Sequence, residues 1–496
     1  MKIVVKNQNH PYKRELRLLF ALFQERGDEL FFSDQPNTLE FLEVNCQISN
    51  THIIATVQGE LNGDQLFRQV DRKLGIDGEE NRKIMKRAVS IVWLQTLMQA
   101  TEKLHSYGIL TGMRPTKLYH MLLKSHTYQE VDAMLKEEYL LAEDKIALLR
   151  EIVERQLKII PDLDSLDQEV SIYIGIPFCP TRCAYCTFPA YSLEKKGRLV
   201  EDFLSGLHQE IAAIGNWLNQ AGLKVTTLYL GGGTPTSITA KQLDEIFYRL
   251  SFWIDLSKIR EITVEAGRPD TITLDKLNVL KKWQVGRISI NPQSFNQKTL
   301  DLIGRRHSIA EILEKYQLAR DAGFSNINMD LIIGLPGEGL KELAISLDYL
   351  EQLRPEALSI HTMALKRASY LTRNKEDFPL TDSDEVVRMM EHASKWCRTN
   401  HYQPYYLYRQ KNMLGNLENV GYSQIGQESL YNILIMEEKQ TIIGLGSGAV
   451  SKLVPPESEE VFRLPSPKDP VSYIKSVAVA SERKLNSLNK IFKKFS

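Results

Sequence analysis

Two periodicities divide the chain. From Ser171 onward, apolar runs of strand length alternate with longer segments whose apolar residues recur at helical spacing. The runs are Ser171–Ile176, Val225–Leu230, Glu261–Ala266, Val285–Asn291, Asn326–Ile332 and Leu358–Met363. Leu199–Leu218 carries Phe203, Leu207, Ile211, Ile214 and Leu218 at helical spacing, and Glu338–Leu350 reads as another helix. Strand–helix units in series predict an α/β fold with a parallel sheet and outer helices. Six units make a partial (β/α)6 barrel, short of the closed eight-stranded form.

Strand residues alternate between two faces. If Ile172, Ile174 and Ile176 face the helices, Tyr173 and Gly175 face inward. The same alternation turns Thr263 and Glu265, Arg287 and Ser289, Asn328 and Asp330, and Ser359 and His361 inward. Such an interior needs internal partners or ligands. An Arg287–Glu265 or Arg287–Asp330 ion pair would fill it without function.

The first 165 residues mix patterns. Thr38–Cys46 and Thr51–Val57 read as strands, and Glu79–Leu104 and Ala142–Ile159 as helices. This gives an N-terminal α+β domain over 1–165, whose role the residues do not reveal. The polar stretch Pro161–Glu169 reads as a linker into a barrel domain over 166–370. Residues 371–496, with an aromatic cluster at His401–Tyr406 and a glycine-rich Gly444–Gly448, are expected to form a mainly helical extension. It would cover the barrel and contribute to substrate binding.

Composition narrows the classes. The chain has 496 residues, 43% hydrophobic and 25% charged, with a formal net charge of +0. That balance suits globular domains and supplies no excess positive charge for nucleic acid. Lys484, Lys490, Lys493 and Lys494 make the end locally basic and read as a solvated tail. No apolar run reaches the roughly 20 residues of a membrane span, and Met1–Lys6 reads as a strand rather than a signal peptide. The expectation is a cytoplasmic monomer without nucleic-acid or membrane partners.

Of the 5 cysteines, Cys46 and Cys397 stand alone and read as small buried apolar residues. The others form Cys179-x3-Cys183-x2-Cys186, directly after the first barrel strand. Structural zinc usually takes four ligands in two close pairs, so His307 or His361 would have to complete such a site. Iron–sulfur clusters also usually take four cysteines; three leave one iron open to a chelating amine and carboxylate.

This loop resembles that of the radical S-adenosylmethionine (SAM) superfamily. The resemblance spans about 170–450 and is nearest the oxygen-independent coproporphyrinogen III oxidase group, in its coproporphyrinogen dehydrogenase-like branch. It rests on Tyr173–Cys179, the Gly231–Thr236 run, Glu265, Gln293–Asn296 with Arg305, and Asp330–Pro336. It implies a [4Fe–4S] cluster on Cys179, Cys183 and Cys186. It implies SAM contacts, for as many as two molecules, from Tyr173, Tyr185, Gly232, Gly233, Thr234, Glu265, Gln293, Arg305, Asp330 and Ala364. Tyr173, Glu265 and Asp330 are the residues expected to act in catalysis.

The activity so implied is conversion of two propionates of coproporphyrinogen III to vinyl groups, giving protoporphyrinogen IX. Each conversion starts with reductive SAM cleavage and loss of a β-hydrogen. The tetrapyrrole carboxylates would meet Arg306, Arg367 or Arg409, and the reductant would be a flavodoxin or ferredoxin. Two positions depart from the group: Phe188 stands where its oxidases carry a fourth cysteine, and Gly175 where they carry His. A haem chaperone of the same family, or a radical SAM enzyme with another substrate, remains open. Against the chaperone, Arg409–Gly415 lacks the His and Trp of that branch's H-N-x-x-Y-W stretch.

Overall fold

The computed structural model describes residues 2–24, 27–34, 41–61, 63–112, 114–455 and 460–492. The chain forms two compact units, Met1–Glu151 and Ile152–Ser496.

The first unit holds a 5-stranded sheet in the order β2-β1-β3-β4-β5. The strands are β1 (Lys2–Lys6), β2 (Glu29–Ser33), β3 (Phe41–Ile48), β4 (His52–Leu61) and β5 (Asp64–Lys73). The described part of the expected strand Thr38–Cys46 lies in β3, which runs two residues further to Ile48, and Thr38–Glu40 lie outside the described residues. Alternating buried residues of β4 (Ile53, Ala55 and Val57) meet Leu16, Leu19 and Phe20 of α1 (Lys13–Phe23) and the apolar stripe of α2 (Gly78–Thr101) in one core. Asp77 caps α2 by accepting from Glu79 N and Glu80 N, which satisfies two otherwise orphaned donors. Three shorter helices follow: α3 (Pro115–Leu123), α4 (Tyr128–Glu137) and α5 (Glu143–Ile159). The division between units falls within α5, ahead of the linker expected near 165.

The second unit is built on an 11-stranded sheet. Its six central strands are β6 (Glu169–Ile176), β7 (Lys224–Gly232), β8 (Glu261–Glu265), β9 (Arg287–Ser289), β10 (Ile327–Ile333) and β11 (Ala357–Thr362). All neighbours among them are parallel, as the six runs predict. The crossovers carry α6 (Val200–Ala221), α7 (Ala240–Ser251), α8 (Leu274–Lys282), α9 (Ile309–Asp321) and α10 (Leu340–Leu353). Ile172, Ile174 and Ile176 are buried, as are Phe203, Leu207, Ile211 and Ile214 of α6.

The C-terminal region brings the helices α11 (Ser383–Thr399), α12 (Leu430–Glu437) and α13 (Pro470–Phe492), but also strands at both edges of the sheet. Antiparallel β12 (Gln403–Tyr408) and β13 (Asn419–Ser423) extend it beyond β11. On the other side β14 (Thr441–Gly446) lies parallel to β6 and carries β15 (Val450–Leu453) and β16 (Phe462–Pro465). The aromatic stretch thus enters the edge strand β12, and the glycine-rich stretch the inner strand β14 between β6 and β15 and the turn after it. Lys484 corrects the expected solvated tail: it is 4% exposed and ion-paired to Glu210. Lys490 is exposed, and Lys493 and Lys494 lie outside the described residues.

Candidate cluster and SAM site

Cross-strand register brings the inward residues into layers. One layer runs Gly444, Tyr173, Tyr229, Thr263 and Arg287. The next, nearer the strand ends, contains Gly446, Gly175 and Gly231, with Glu265 opposite Ser289. Of the three glycines, Gly231 makes room for Glu265: a Cβ on it would lie 3.0 Å from Glu265 Oε2. Tyr173, Glu265, Asp330 and His361 are half-buried, while the apolar residues between them are buried.

The cysteine loop starts at the end of β6 and is fixed by backbone bonds. Gly233 N donates to Ile176 O and Thr234 N to Phe178 O, both at 2.8 Å. Ala184 N donates to Ile303 O, and Leu371 N to Ala184 O. A Cβ on Gly233 would lie 2.5 Å from Phe178 O, so only glycine lets the two loops approach. Thr234 Oγ1 is 3.5 Å from Cys179 Sγ and donates to Gly233 O. All three cysteines are free thiols. Burial pushes the Cys179 thiol up to about 11 and raises that of Cys186, and each is raised further by the neighbouring sulfurs.

Arg268 was not singled out by the sequence. Its Nη1 lies 3.8 Å from Cys183 Sγ, and its Nε and Nη2 grip both oxygens of Asp270. An always-charged guanidinium beside thiolates offsets negative charge. The sequence signal for it was an Arg-x-Asp directly after the barrel strand that ends in Glu265.

Glu265 accepts from Tyr229 Oη at 2.6 Å, and burial raises its carboxyl to about 7. Asp330 accepts from Asn328 Nδ2 at 2.8 Å and faces His361 Nε2 at 3.6 Å. Burial alone would raise Asp330, but its bonds to His361, Asn328 and Ser359 outweigh that and hold it low. Arg305 donates to Tyr185 Oη at 3.2 Å and to the carbonyls of Gly267 and Asn291, so it orients the aromatic residue of the cysteine loop. Gln293 sits at φ 69, which is uncommon outside glycine, and bridges Leu331. Ala364 bridges Met413 on the loop after β11.

The structure brings Tyr173, Gly232, Gly233, Thr234, Glu265, Gln293, Arg305 and Asp330 to the same strand ends, together with Tyr185 on the cysteine loop. Among the described residues it does not form the Arg287–Glu265 or Arg287–Asp330 ion pair, the alternative that would have filled the interior without function. Arg287 Nη1 donates to Asn326 Oδ1 and Gln427 O, and Nη2 to Asn328 Oδ1, one layer below Glu265. Of the candidate tetrapyrrole contacts, Arg306 is exposed and paired with Glu194, and Arg409 is buried in a turn that it bonds to Asn416. Arg367 is exposed on the loop after β11.

Two features fit the groups the sequence implied. The donor set is three thiols on one half-buried loop, with Arg268 beside Cys183. In the interior, Thr263 Oγ1, Asn291 Oδ1, Gln293 Oε1 and Arg305 Nε are buried without a protein partner, which suits a polar ligand. Among the described residues no group of three His, Cys, Asp or Glu converges as a single metal ion needs. His307 is buried with both ring nitrogens unbonded.

Sequence comparisons point the same way. The family model of the radical SAM superfamily matches residues 173–350. The chain is 49% identical over 485 residues to the oxygen-independent coproporphyrinogen-III oxidase-like protein HemZ of Bacillus subtilis, covering 97% of this chain and 96% of that protein. It is 31% identical over 282 residues to the heme chaperone HemW of Bacillus subtilis, covering 56% of this chain and 70% of that one. Among solved structures, coproporphyrinogen III oxidase from Escherichia coli superposes with a TM-score of 0.52 at 21% identity, over 66% of this chain and 72% of that one. At that identity the match speaks for the fold.

Proposed function

The chain belongs to the radical SAM superfamily, in the group of oxygen-independent coproporphyrinogen-III oxidase-like proteins, and from that premise we propose that it oxidatively decarboxylates coproporphyrinogen III to protoporphyrinogen IX. The observation that carries the chemistry is the set of unbonded polar atoms on Thr263, Asn291 and Gln293 within the same barrel whose first strand leads into the three-cysteine loop. The likeness to the oxidase-like relative, along nearly the whole chain, supports the substrate class.

Cys179, Cys183 and Cys186 would hold the [4Fe–4S] cluster, with Arg268 offsetting its charge. When bound, the cluster and SAM supply reductive SAM cleavage and a radical able to take hydrogen from carbon. The backbone of Gly232, Gly233 and Thr234 would line the methionyl end, and Tyr185, fixed by Arg305, the adenine. Glu265, held by Tyr229, would accept from the amine. The stacked rings of Tyr173, Tyr229 and Tyr431 (4.2 Å between the last two) close the interior below and exclude water. Each propionate would lose one β-hydrogen, CO2 and one electron to an acceptor, leaving a vinyl group. The first electron would come from a flavodoxin- or ferredoxin-type donor.

The test is an anaerobic reaction of reconstituted protein with SAM, reductant and coproporphyrinogen III, followed by mass spectrometry, with Cys183→Ala as control. Protoporphyrinogen together with 5′-deoxyadenosine supports the reading. Deoxyadenosine without porphyrin conversion overturns the substrate. An intact cluster with neither product, and with haem bound instead, favours a chaperone role.

A further inference from the structure

The basic C-terminal helix is tied to the barrel by a buried charge pair. Lys484 Nζ of α13 bonds Glu210 Oε1 of α6 at 2.5 Å and also donates to Gly444 O. Glu210 Oε2 accepts from Gly446 N at 2.8 Å and from Tyr473 Oη at 2.7 Å. Glu210 is 1% and Lys484 4% exposed. Desolvation cancels much of the attraction in such a pair, so burial alone says little about stability. What the pair fixes is geometry. Both partners reach the backbone of β14, at the two glycines registered on Tyr173 and Gly175 of β6.

The end of β14 and the turn after it pack against the chain just before and just after the three cysteines. Gly446 has φ 86, and a Cβ there would lie 2.3 Å from Gly175 O. Gly448 has φ 73, and a Cβ there would lie 2.4 Å from Pro189 Cγ. Gly175 precedes Cys179 on β6, and Pro189 follows Cys186. A Cβ on Gly175 would in turn lie 3.0 Å from Ser447 O. The turn therefore occupies the space that a larger residue at 175 would need. Its outer side is held by Pro467 O, which accepts from Ser447 Oγ and Gly448 N.

We propose that Lys484 and Glu210 are positioning residues for the cysteine loop, acting through the Gly444–Gly448 turn to set the sulfur geometry that the cluster and SAM require. This rests on the reading that the three cysteines hold the cluster. Close backbone packing transmits the position of α13 because glycine contacts have no side chain to yield.

Two variants test it. Lys484→Met/Glu210→Gln removes both charges while keeping an acceptor for Gly446 N, and Gly448→Ala pushes on Pro189 without touching the pair. Hydrogen exchange of the amides of 174–190 is measured in cluster-free protein. SAM affinity is measured by the change SAM causes in the electron paramagnetic resonance of the reduced cluster. Both variants are expected to keep the parent's circular dichroism, to exchange at 174–190 about tenfold faster and to bind SAM about tenfold more weakly. Exchange and SAM affinity within about twofold of the parent in either folded variant overturn the proposal. Should the double variant fail to fold, the single Glu210→Gln variant, which keeps an acceptor for Gly446 N, replaces it and is judged by the same two measurements. Failure of the parent to take up iron defeats the cluster reading, and the exchange data still judge the clamp.

Discussion

The two units bury opposite kinds of interior. The core of the N-terminal unit runs from Ile3 through Leu16, Val57 and Val92 to Leu97 and is mainly apolar, and polar groups buried in it reach backbone carbonyls: His10 Nε2 to Val44 O, Thr96 Oγ1 to Val92 O and the Trp93 indole to Leu16 O. In the barrel unit Tyr173, Glu265, Asp330 and His361 line the interior, and three uncharged polar atoms of that interior lack a protein partner. A buried polar group without a partner costs about 1–3 kcal/mol. The first interior pairs such groups within the protein. The second leaves polar atoms that, under the proposed function, a bound ligand would satisfy.

The sharpest break between the two comes from Cys183→Ala. Iron should fall from about four per chain to near zero, with 5′-deoxyadenosine abolished and the fold retained, read by iron analysis and chromatography. The converse is Leu97→Ala, which should cost about 2–5 kcal/mol in denaturant unfolding and leave SAM affinity per folded molecule unchanged.

Glu265 adds a pH signature. Its carboxyl, raised from 4.5 to about 7 in the fold, holds its proton more tightly there than in the unfolded chain. The stability it contributes is complete below about pH 4.5 and is lost as the pH rises through about 7. The loss should be about 2–3 kcal/mol in ligand-free protein. Glu265→Gln should flatten that part of the stability–pH curve.

Thr263→Val replaces an unbonded hydroxyl with a methyl of similar shape. It should stabilise the ligand-free protein by about 1 kcal/mol while weakening SAM binding, seen as a higher Tm with a smaller SAM-induced shift. The smallest effect belongs to Phe188, 59% exposed at the position of the missing fourth cysteine. Phe188→Ala should change stability by less than about 0.5 kcal/mol and leave iron content unaltered.

The six central strands were legible because each is buried on both faces, which writes an apolar run of strand length into the sequence. Alternation within those runs also placed Tyr173, Glu265 and Asp330 on the side facing the site. β5 was missed because Asp64–Lys73 is largely exposed, with Leu66 and Val70 as its only buried residues, and shows no regular apolar alternation. Arg268 and Tyr229 act through contacts made only after folding, to Cys183 and Glu265. Lys484 was misread because a lysine near a chain end is ordinarily solvated, and its partner Glu210 lies 274 residues away. Likewise, Gly444–Gly448 was seen as glycine-rich, but its register on Gly175 is a property of the sheet.

The most direct test of the account is the electron paramagnetic resonance spectrum of the anaerobically reconstituted, reduced protein before and after SAM is added. A [4Fe–4S] signal that changes on SAM addition, and that disappears in Cys183→Ala, is the predicted result. A protein that takes up no iron, or a cluster whose spectrum ignores SAM, would contradict the claim that the barrel interior is built for them.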